Sequence, residues 1–342
     1  MNMQIQSGHG RGIAQAGVLP AHFPRAAART SFGWHFLTLF GIIGVILIIQ
    51  TMILNPAMQW DVVAQYFTLP AIIEGVGRTL LLTVVSQVLG IIIGVLAAMM
   101  RISNLKVLSW SAWVYVWFFR GTPLLVQIIF WYNLAALLPN INIGIPFTDI
   151  VFVGWDTNAI LTPFVSAVLA LSLNEGAYMS EIVRAGILSV DGGQGEAASA
   201  LGMRRSKAMV RIILPQALRV IIPPTGNQTI SMLKNTALVS VTSLPELLYS
   251  VQLIYSRTFE TIPLLVVASI WYLGITTVLS IGQYYLERRF ARGSTRNLPP
   301  TPIQKLRRTL SSIGKKGQPR SSGSGTARTE TERIAIGMEG EK

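Results

Sequence analysis

The sequence contains no cysteine, and its three histidines all lie before residue 36. The absence of thiols excludes disulfide bonds, thiolate nucleophiles and cysteine-based zinc sites. Because imidazoles are so few, no metal site is expected. Charged side chains are scarce too: they make up 13% of the 342 residues, against 51% hydrophobic residues, and the mean hydropathy is +0.50. This balance is rare in soluble domains and predicts a polytopic membrane protein.

Acidic residues are outnumbered by basic ones, and the formal net charge is +13. A basic chain can bind nucleic acid. Here, however, the basic residues lie between apolar segments and in the C-terminal part, where membrane orientation explains them better. No nucleic acid partner is therefore expected.

Six apolar segments approach the length needed to cross hydrocarbon roughly 30 Å thick, which is about 20 helical residues. They lie at about 35–54, 79–99, 122–138, 160–183, 217–233 and 262–286, and the third and fifth are short. Residues 110–120, WSAWVYVWFFR, are rich in Trp and Tyr and predict a helix that lies along the membrane surface. The alternative is that they simply begin the third span.

The distribution of charge predicts the side that each loop faces, because Lys and Arg accumulate in the cytoplasm. Of the 28 Lys and Arg residues, 24 lie in 1–34, 100–121, 184–216 and 287–342, which six spans place on one side. Both termini are therefore expected in the cytoplasm. The apolar run at 35–54 is too long for the core of a secretory signal and predicts a retained additional helix. Residues 291–342 predict a disordered tail, with a short basic helix on anionic lipid as the alternative.

The stretch 195–219, GEAASALGMRRSKAMVRIILPQALR, is polar but carries a helical pattern. Its apolar positions form one edge before Gly202 and another after it. Gly202 can end a helix in a left-handed cap, whereas Pro215, and then Pro223 with Pro224, are expected to break the chain downstream. The stretch thus predicts two short helices joined at a glycine, forming a stiff projection that fits a groove on a partner.

Seven positions of this stretch keep the spacing of a known motif: Glu196, Ala197, Ala198, Gly202, Ile212, Leu214 and Pro215. They resemble the EAA loop of ATP-binding cassette (ABC) importer permeases. RGTPLLVQ at 120–127, NEGAYMSEIVRAGI at 174–187 and LKNTALVSVTSLPELL at 233–248 look like the polar amino acid permeases of that superfamily. The resemblance covers roughly 60–290, with the loop at 189–216. It leaves out the N-terminal segment 1–34, the helix 35–54 and the tail 291–342.

The resemblance implies an all-α type I importer permease fold with about six transmembrane helices in the bacterial inner membrane. Two permease subunits, identical or related, would form the pathway. Two cytoplasmic ATPases would bind ATP and Mg, and a periplasmic binding protein would deliver a polar amino acid. The loop would be the coupling helix: Glu196 is expected near a helix start, Ala197 and Ala198 permit close approach, and Gly202 makes the bend.

The chain has no G-x-x-x-x-G-K-[ST] sequence, so it is expected to bind no nucleotide by that route and to need a separate motor. No cofactor and no catalysis are expected of this chain. An ion-coupled secondary transporter, which needs no cytoplasmic partner, is one alternative. An intramembrane enzyme that uses Glu175 or Glu181 is another, but the sequence offers no matching nucleophile or metal ligands.

Polar side chains within the predicted spans mark the expected substrate pathway, because such groups face protein or water rather than lipid. Asn174, Glu175 and Tyr178 in the fourth span are expected either to contact substrate or to serve packing. Asn227 and Gln228 in the fifth face either the cavity or neighbouring helices. Structural or gating roles are expected for Arg120 as a surface anchor, Thr122 as a cap before Pro123, Glu181 paired with Arg184, and Lys234.

Overall fold

The computed structural model of the chain describes residues 32–145 and 151–290. Its helices are α1 (Phe32–Leu54), α2 (Trp60–Phe67), α3 (Pro70–Ile102), α4 (Lys106–Gly121), α5 (Leu124–Tyr132), α6 (Thr157–Ile160), α7 (Pro163–Leu188), α8 (Gly192–Ala200), α9 (Arg205–Ala208), α10 (Leu214–Asn235), α11 (Leu247–Thr258) and α12 (Thr261–Phe290). The predicted tail 291–342 lies outside the described residues, as does nearly all of the segment 1–34.

A small antiparallel hairpin lies in the predicted loop between the third and fourth spans. Strand β1 (Asn140–Gly144) pairs with β2 (Val151–Asp156), and Asn140 faces Asp156. Strands were not expected in an all-α fold. The hairpin leaves the helical architecture unchanged, because it forms only within the connection between α5 and α7.

The centre of the fold is the contact between α3 and α7, where glycines let the two backbones approach closely. A Cβ on Gly90 would lie 2.6 Å from Cγ of Glu175, and one on Gly94 would lie 2.9 Å from the carbonyl oxygen of Gly176. A Cβ on Gly176 would meet Cγ2 of Ile93 at 2.7 Å. Glycine is therefore required at this crossing by the lack of space rather than by backbone conformation.

Three helices of the described residues are long and apolar enough to cross a membrane by themselves: α1, α3 and α12. Two bent pairs qualify only when taken together: α4 with α5, which meet at 102°, and residues 205–242 with α11, which meet at 45°. The bend agrees with the predicted separate helix at 110–120, which lies within α4, but the predicted span at 122–138 is too long, because α5 ends at Tyr132. By length and composition, α7 is not among these spans although it has 26 residues, because polar side chains interrupt its apolar sequence.

Helix α1 coincides with the predicted additional helix, and it is apolar on every side. The most apolar stretch of 18 residues in α1 has a mean hydropathy of 2.5, and none of that stretch is buried. It is joined to the next helix through Trp60, whose Nε1 donates a hydrogen bond to the carbonyl of Ile53 at 2.8 Å. A helix with no polar face suits a surrounding of lipid or of another apolar helix.

The buried carboxyl group of Glu246 ties three helices together. It accepts hydrogen bonds from the backbone N–H groups of Leu248 and Tyr249, at 3.0 and 2.7 Å, and so caps α11. The hydroxyl of Tyr272 in α12 donates to it at 2.9 Å, and the hydroxyl of Thr79 in α3 lies at 3.4 Å. These contacts fix α11 against α3 and α12.

The breaks predicted at Pro215 and at Pro223 with Pro224 are wrong, because the helix runs through all three prolines. A π-helical segment, Met209–Ile213, precedes Pro215 and widens the turn into which the proline ring would otherwise project. Further along, the Gln283 amide of α12 donates to the carbonyl of Pro223 at 2.6 Å. Side-chain bonds and packing from neighbouring helices allow proline within helices of membrane proteins.

Candidate functional site, a polar cavity joined to an exposed elbow

A cavity of about 480 Å³ lies between the junction of α4 and α5, α7, and α10. It is lined by Arg120, Gly121, Thr122, Pro123, Leu124, Asn174, Glu175, Tyr178, Gln228, Ser231, Asn235 and Leu238. Most of these side chains are polar, in contrast to the apolar helices around them. A cavity with such a lining suits water or a polar solute rather than lipid.

Glu175 lies against this cavity and is 5% exposed. Its carboxyl oxygens accept hydrogen bonds from the amides of Gln87 in α3, at 3.1 Å, and Gln228 in α10, at 3.4 Å. Among the residues that the structure describes, no Lys or Arg forms an ion pair with it. A buried carboxylate without a cation is costly, so this position is suited to receive a positively charged group.

Amide side chains hold the junction of α4 and α5 against α7. The amides of Asn174 and Gln127 both donate to the carbonyl of Phe119 at 2.9 Å, and Gln127 also donates to the hydroxyl of Thr122 at 2.7 Å. The hydroxyl of Thr122 donates back to the α4 backbone, and Pro123 precedes α5 with no side-chain cap. The predicted cap at Thr122 is therefore wrong: at this sharp turn the side chain ends α4 instead.

Glu181 forms a cluster with three arginines. The cluster lies toward the C-terminal end of α7, the end that leads to α8. The predicted pair with Arg184 is present, at 2.9 Å, and Arg101 of α3 forms a second hydrogen-bonded ion pair. The Nη1 atom of Arg120 lies 3.7 Å from the same carboxylate, and its guanidinium lies over the ring of Tyr178, 5.2 Å from the centroid. Arg120, predicted as a surface anchor, thus lies beside this cluster and remains partly exposed.

A second feature, the elbow, comprises residues 191–216 and projects beyond α7. Gly202 has φ of +70°, so the predicted left-handed end of the first arm is confirmed. The first arm, α8, starts after Asp191, whose side chain accepts from the N–H of Gly193 at 2.7 Å. Glu196 is the fifth residue of α8, so its predicted position near the helix start is wrong, and Asp191 interacts there with the helix dipole.

The surface of the elbow is mixed. Glu196 and Ala197 are exposed, whereas Ala198 is buried in the angle between the two arms. On the second arm Ile212 and Leu214 are half-buried and Pro215 is exposed. Exposed small and charged groups on a rigid support form a surface that a partner can approach closely.

The second arm does not end at the elbow. One helix runs from 205 to 242 and includes α9, the π segment and α10. Leu214 lies in the elbow, and Gln228 lines the cavity on the same helix, about 21 Å further along at 1.5 Å per residue. The elbow and the cavity are therefore two parts of one continuous element.

Comparison with known proteins places the chain in a family. The family model that describes the binding-protein-dependent transport system inner membrane component matches residues 90–292. The chain belongs to this family. The match includes α7, the elbow, α10 and every residue that lines the cavity, whereas Gln87, which donates to Glu175, lies before it.

Individual relatives agree with this assignment. The arginine transport system permease protein ArgU of Corynebacterium glutamicum is 47% identical over 255 residues, which are 74% of this chain and 78% of that protein. The L-cystine transport system permease protein TcyB of Bacillus subtilis is 40% identical over 240 residues, or 70% and 94%. The crystal structure of an amino acid ABC transporter with histidines matches with a TM-score of 0.55 and 35% identity, over 64% of this chain and 94% of that one. The chain is thus a permease subunit of an ABC importer, a multi-pass inner membrane protein with the type I fold.

The structure of this permease brings together some of the predicted pathway residues and separates others. Asn174, Glu175, Tyr178 and Gln228 line one cavity with Arg120, Thr122 and Pro123. Asn227 is exposed and does not line it. Lys234, for which a structural or gating role was predicted, is exposed as well and lies outside the lining. Sequence reasoning missed Gln87 and Gln127, the buried amides that bond Glu175 and Asn174. An amide in the middle of an otherwise apolar helix was the signal that could have indicated Gln87.

Proposed function

We propose that this permease passes a polar amino acid inward through the cavity, driven by ATP hydrolysis on separate cytoplasmic subunits that bind the elbow. ATP and Mg bind to those subunits, and this chain carries no cofactor. A periplasmic binding protein delivers the substrate, and a second permease subunit, either another copy or a related chain, completes the pathway. Both termini lie in the cytoplasm, on the side of the elbow.

The observation that carries this proposal is the continuous helix from 205 to 242, which holds elbow residues at one end and cavity residues further along. Because the helix is continuous between Leu214 and Gln228, we expect a displacement of Leu214 and Pro215 to reach Gln228. Binding of the motor in one nucleotide state therefore favours one state of the cavity, and substrate in the cavity favours the same state of the motor.

The lining of the cavity supports an amino acid as the substrate. An amino acid presents an ammonium group, which the carboxyl group of Glu175 can accept in a position where no cation of the described residues pairs with it. The side chains of Asn174, Gln228 and Ser231 offer further hydrogen-bonding groups. The relatives named for arginine and L-cystine both act on compounds with ammonium groups, in agreement with this chemistry.

The test is uptake of radiolabelled amino acid by proteoliposomes that contain the permease, its ATPase and its binding protein. Uptake is expected to require ATP inside the vesicle and to stop with vanadate. A carrier coupled to an ion gradient would continue in vanadate and stop when the gradient is dissipated. Accumulation by the permease without any ATPase would contradict the proposal.

A further inference from the structure

A second groove, of about 370 Å³, lies on the other side of Arg120 and Tyr178 from the transport cavity. We call it the arginine groove. Its walls come from the last turn of α3, from α4 and from α7. Its lining includes Arg101, Arg120, Glu181, Trp113 and Trp117. The proposed transport pathway makes no use of the two tryptophans or of Arg101.

The groove carries an excess of positive charge. Two guanidinium groups, of Arg101 and Arg120, line it with the single carboxylate of Glu181. That carboxylate is also paired with Arg184, which lies outside the lining. The other carboxyl group on this helix, that of Glu175, is bonded to amides on the transport-cavity side. The arginine groove is therefore suited to an anion.

Arg120 has hydrogen-bonding capacity to spare. Its side chain is 43% exposed, and its nearest approach to Glu181 is 3.7 Å, too long for a hydrogen bond. Within 32–145 and 151–290, its guanidinium group donates no hydrogen bond, whereas Arg101 and Arg184 both donate to Glu181. The cation–π contact with Tyr178, at 5.2 Å, holds this donor group in place. A guanidinium fork held in this way matches the geometry of a phosphate.

Two tryptophans place the arginine groove at headgroup depth. Trp113 and Trp117 stack with ring centroids 6.3 Å apart and remain 49% and 63% exposed on α4. Exposed Trp rings favour the boundary between lipid headgroups and hydrocarbon. Arg101 lies in the last turn of α3, and α7 ends four residues before the elbow helix begins. The groove therefore lies at the same end of the molecule as the elbow.

We propose that the arginine groove binds the phosphate of an anionic phospholipid in the leaflet on the elbow side. Arg120 and Arg101 contact the phosphate, and the acyl chains lie along Trp113 and Trp117. Basic pockets between membrane helices recognise acidic headgroups in this way. The assignment of that leaflet as the cytoplasmic one rests on the proposed function. The contacts with the lipid do not depend on transport.

The test uses the assembled transporter in nanodiscs and the quenching of tryptophan fluorescence by brominated lipid. Subtracting the tryptophan fluorescence of a Trp113→Phe/Trp117→Phe variant isolates the fluorescence of these two side chains. Half-maximal quenching is expected at a mole fraction at least fivefold lower for brominated phosphatidylglycerol than for brominated phosphatidylcholine. Removing one arginine should raise the mole fraction of brominated phosphatidylglycerol at half-maximal quenching by about fivefold. Arg120→Gln is the preferred variant, since it leaves both hydrogen-bonded ion pairs of Glu181 intact.

Two controls test the specificity. Arg257→Gln removes an exposed arginine from α11 and should leave the lipid preference unchanged. Arg120→Lys keeps the charge and should retain part of the preference. Equal quenching by the two lipids, or no effect of Arg120→Gln, would overturn the proposal. Loss of the preference in inorganic phosphate would show that the groove takes a free anion instead. Absence of quenching by either lipid would show that protein covers the groove, which also overturns the proposal.

Discussion

Two glutamates on α7, six residues apart, have opposite surroundings. Glu181 is bonded by the guanidinium groups of Arg101 and Arg184 and holds α3 to α7. Glu175 lies against the transport cavity, and among the described residues it is bonded only by amides. An ion pair with three arginines leaves Glu181 little capacity for a substrate, whereas Glu175 can still bind a cation. The proposed role of Glu175 in binding substrate therefore depends on what each carboxyl group already binds.

Replacing Glu175 with Gln is expected to lower the maximal rate of ATP-driven uptake about tenfold, which corresponds to about 1.4 kcal/mol. Glutamine keeps the volume, and its one amide oxygen can accept from one of the two neighbouring amides, but it lacks the negative charge proposed to accept the ammonium group. ATP hydrolysis without substrate should be unchanged. The matched control is Glu74→Gln in α3, where the side chain is 67% exposed. Uptake at the rate of the unmodified transporter would contradict the role given to Glu175.

At the scale of elements, packing between helices decides more than local propensity. The crossing of α3 and α7 depends on glycines because the backbones are too close for a Cβ. Helix α10 continues through Pro223 and Pro224 because neighbouring helices hold it there. The result is a rigid frame in which the elbow and the cavity share one helix.

The crossing can be tested with alanine at two glycines of α3. A Cβ on Gly94 would lie 2.9 Å from the carbonyl of Gly176, so Gly94→Ala forces the helices apart and is expected to destabilise the fold by about 1–3 kcal/mol. A Cβ on Gly77 would meet no atom of the described residues within 4 Å outside the neighbouring backbone of its own helix, so Gly77→Ala should be neutral or slightly stabilising. Thermal unfolding in detergent, followed by tryptophan fluorescence, measures both. Equal melting temperatures for the two variants would show that the close approach is unimportant.

The elbow can be tested with a reversal of charge. Glu196→Lys is expected to abolish the stimulation of ATP hydrolysis by substrate, because Glu196 is exposed on the surface proposed to meet the ATPase. The membrane fold should remain intact, since this side chain makes no buried contact. Glu74→Lys, a reversal at an exposed position of α3, serves as the control. An unchanged, substrate-stimulated rate in the reconstituted complex would refute the coupling role.

At the scale of the whole molecule, charge and apolar surface set the position in the membrane. The strong asymmetry of Lys and Arg predicts that the elbow faces the cytoplasm, together with both termini. Helix α1 exposes apolar residues on all sides and lies before the matched family region, which begins at residue 90. These properties concern the surroundings of the protein rather than its internal packing.

Sidedness can be measured directly, because the natural chain has no cysteine to remove. Single cysteines are introduced at Ser199 in the elbow and at Phe259, which is 86% exposed between α11 and α12. A membrane-impermeant maleimide added to spheroplasts should label Phe259→Cys only, and inside-out vesicles should give the reverse pattern. Labelling of Ser199→Cys from outside would contradict the proposed orientation.

The sequence by itself determined the features that depend on neighbouring residues: the membrane class, the helical elbow with its left-handed glycine, and the motif that indicated the family. Tertiary structure alone decided the rest. Within the part of the chain that the structure describes, it surrounded Glu181 with arginines and left Glu175 without an ion pair. It also directed the Thr122 hydroxyl to the α4 backbone and allowed α10 to continue through its prolines. The physical reason is distance along the chain: Glu181 and Arg101 are 80 residues apart, and Gln228 and Glu175 are 53 apart. No local pattern specifies which of these groups meet.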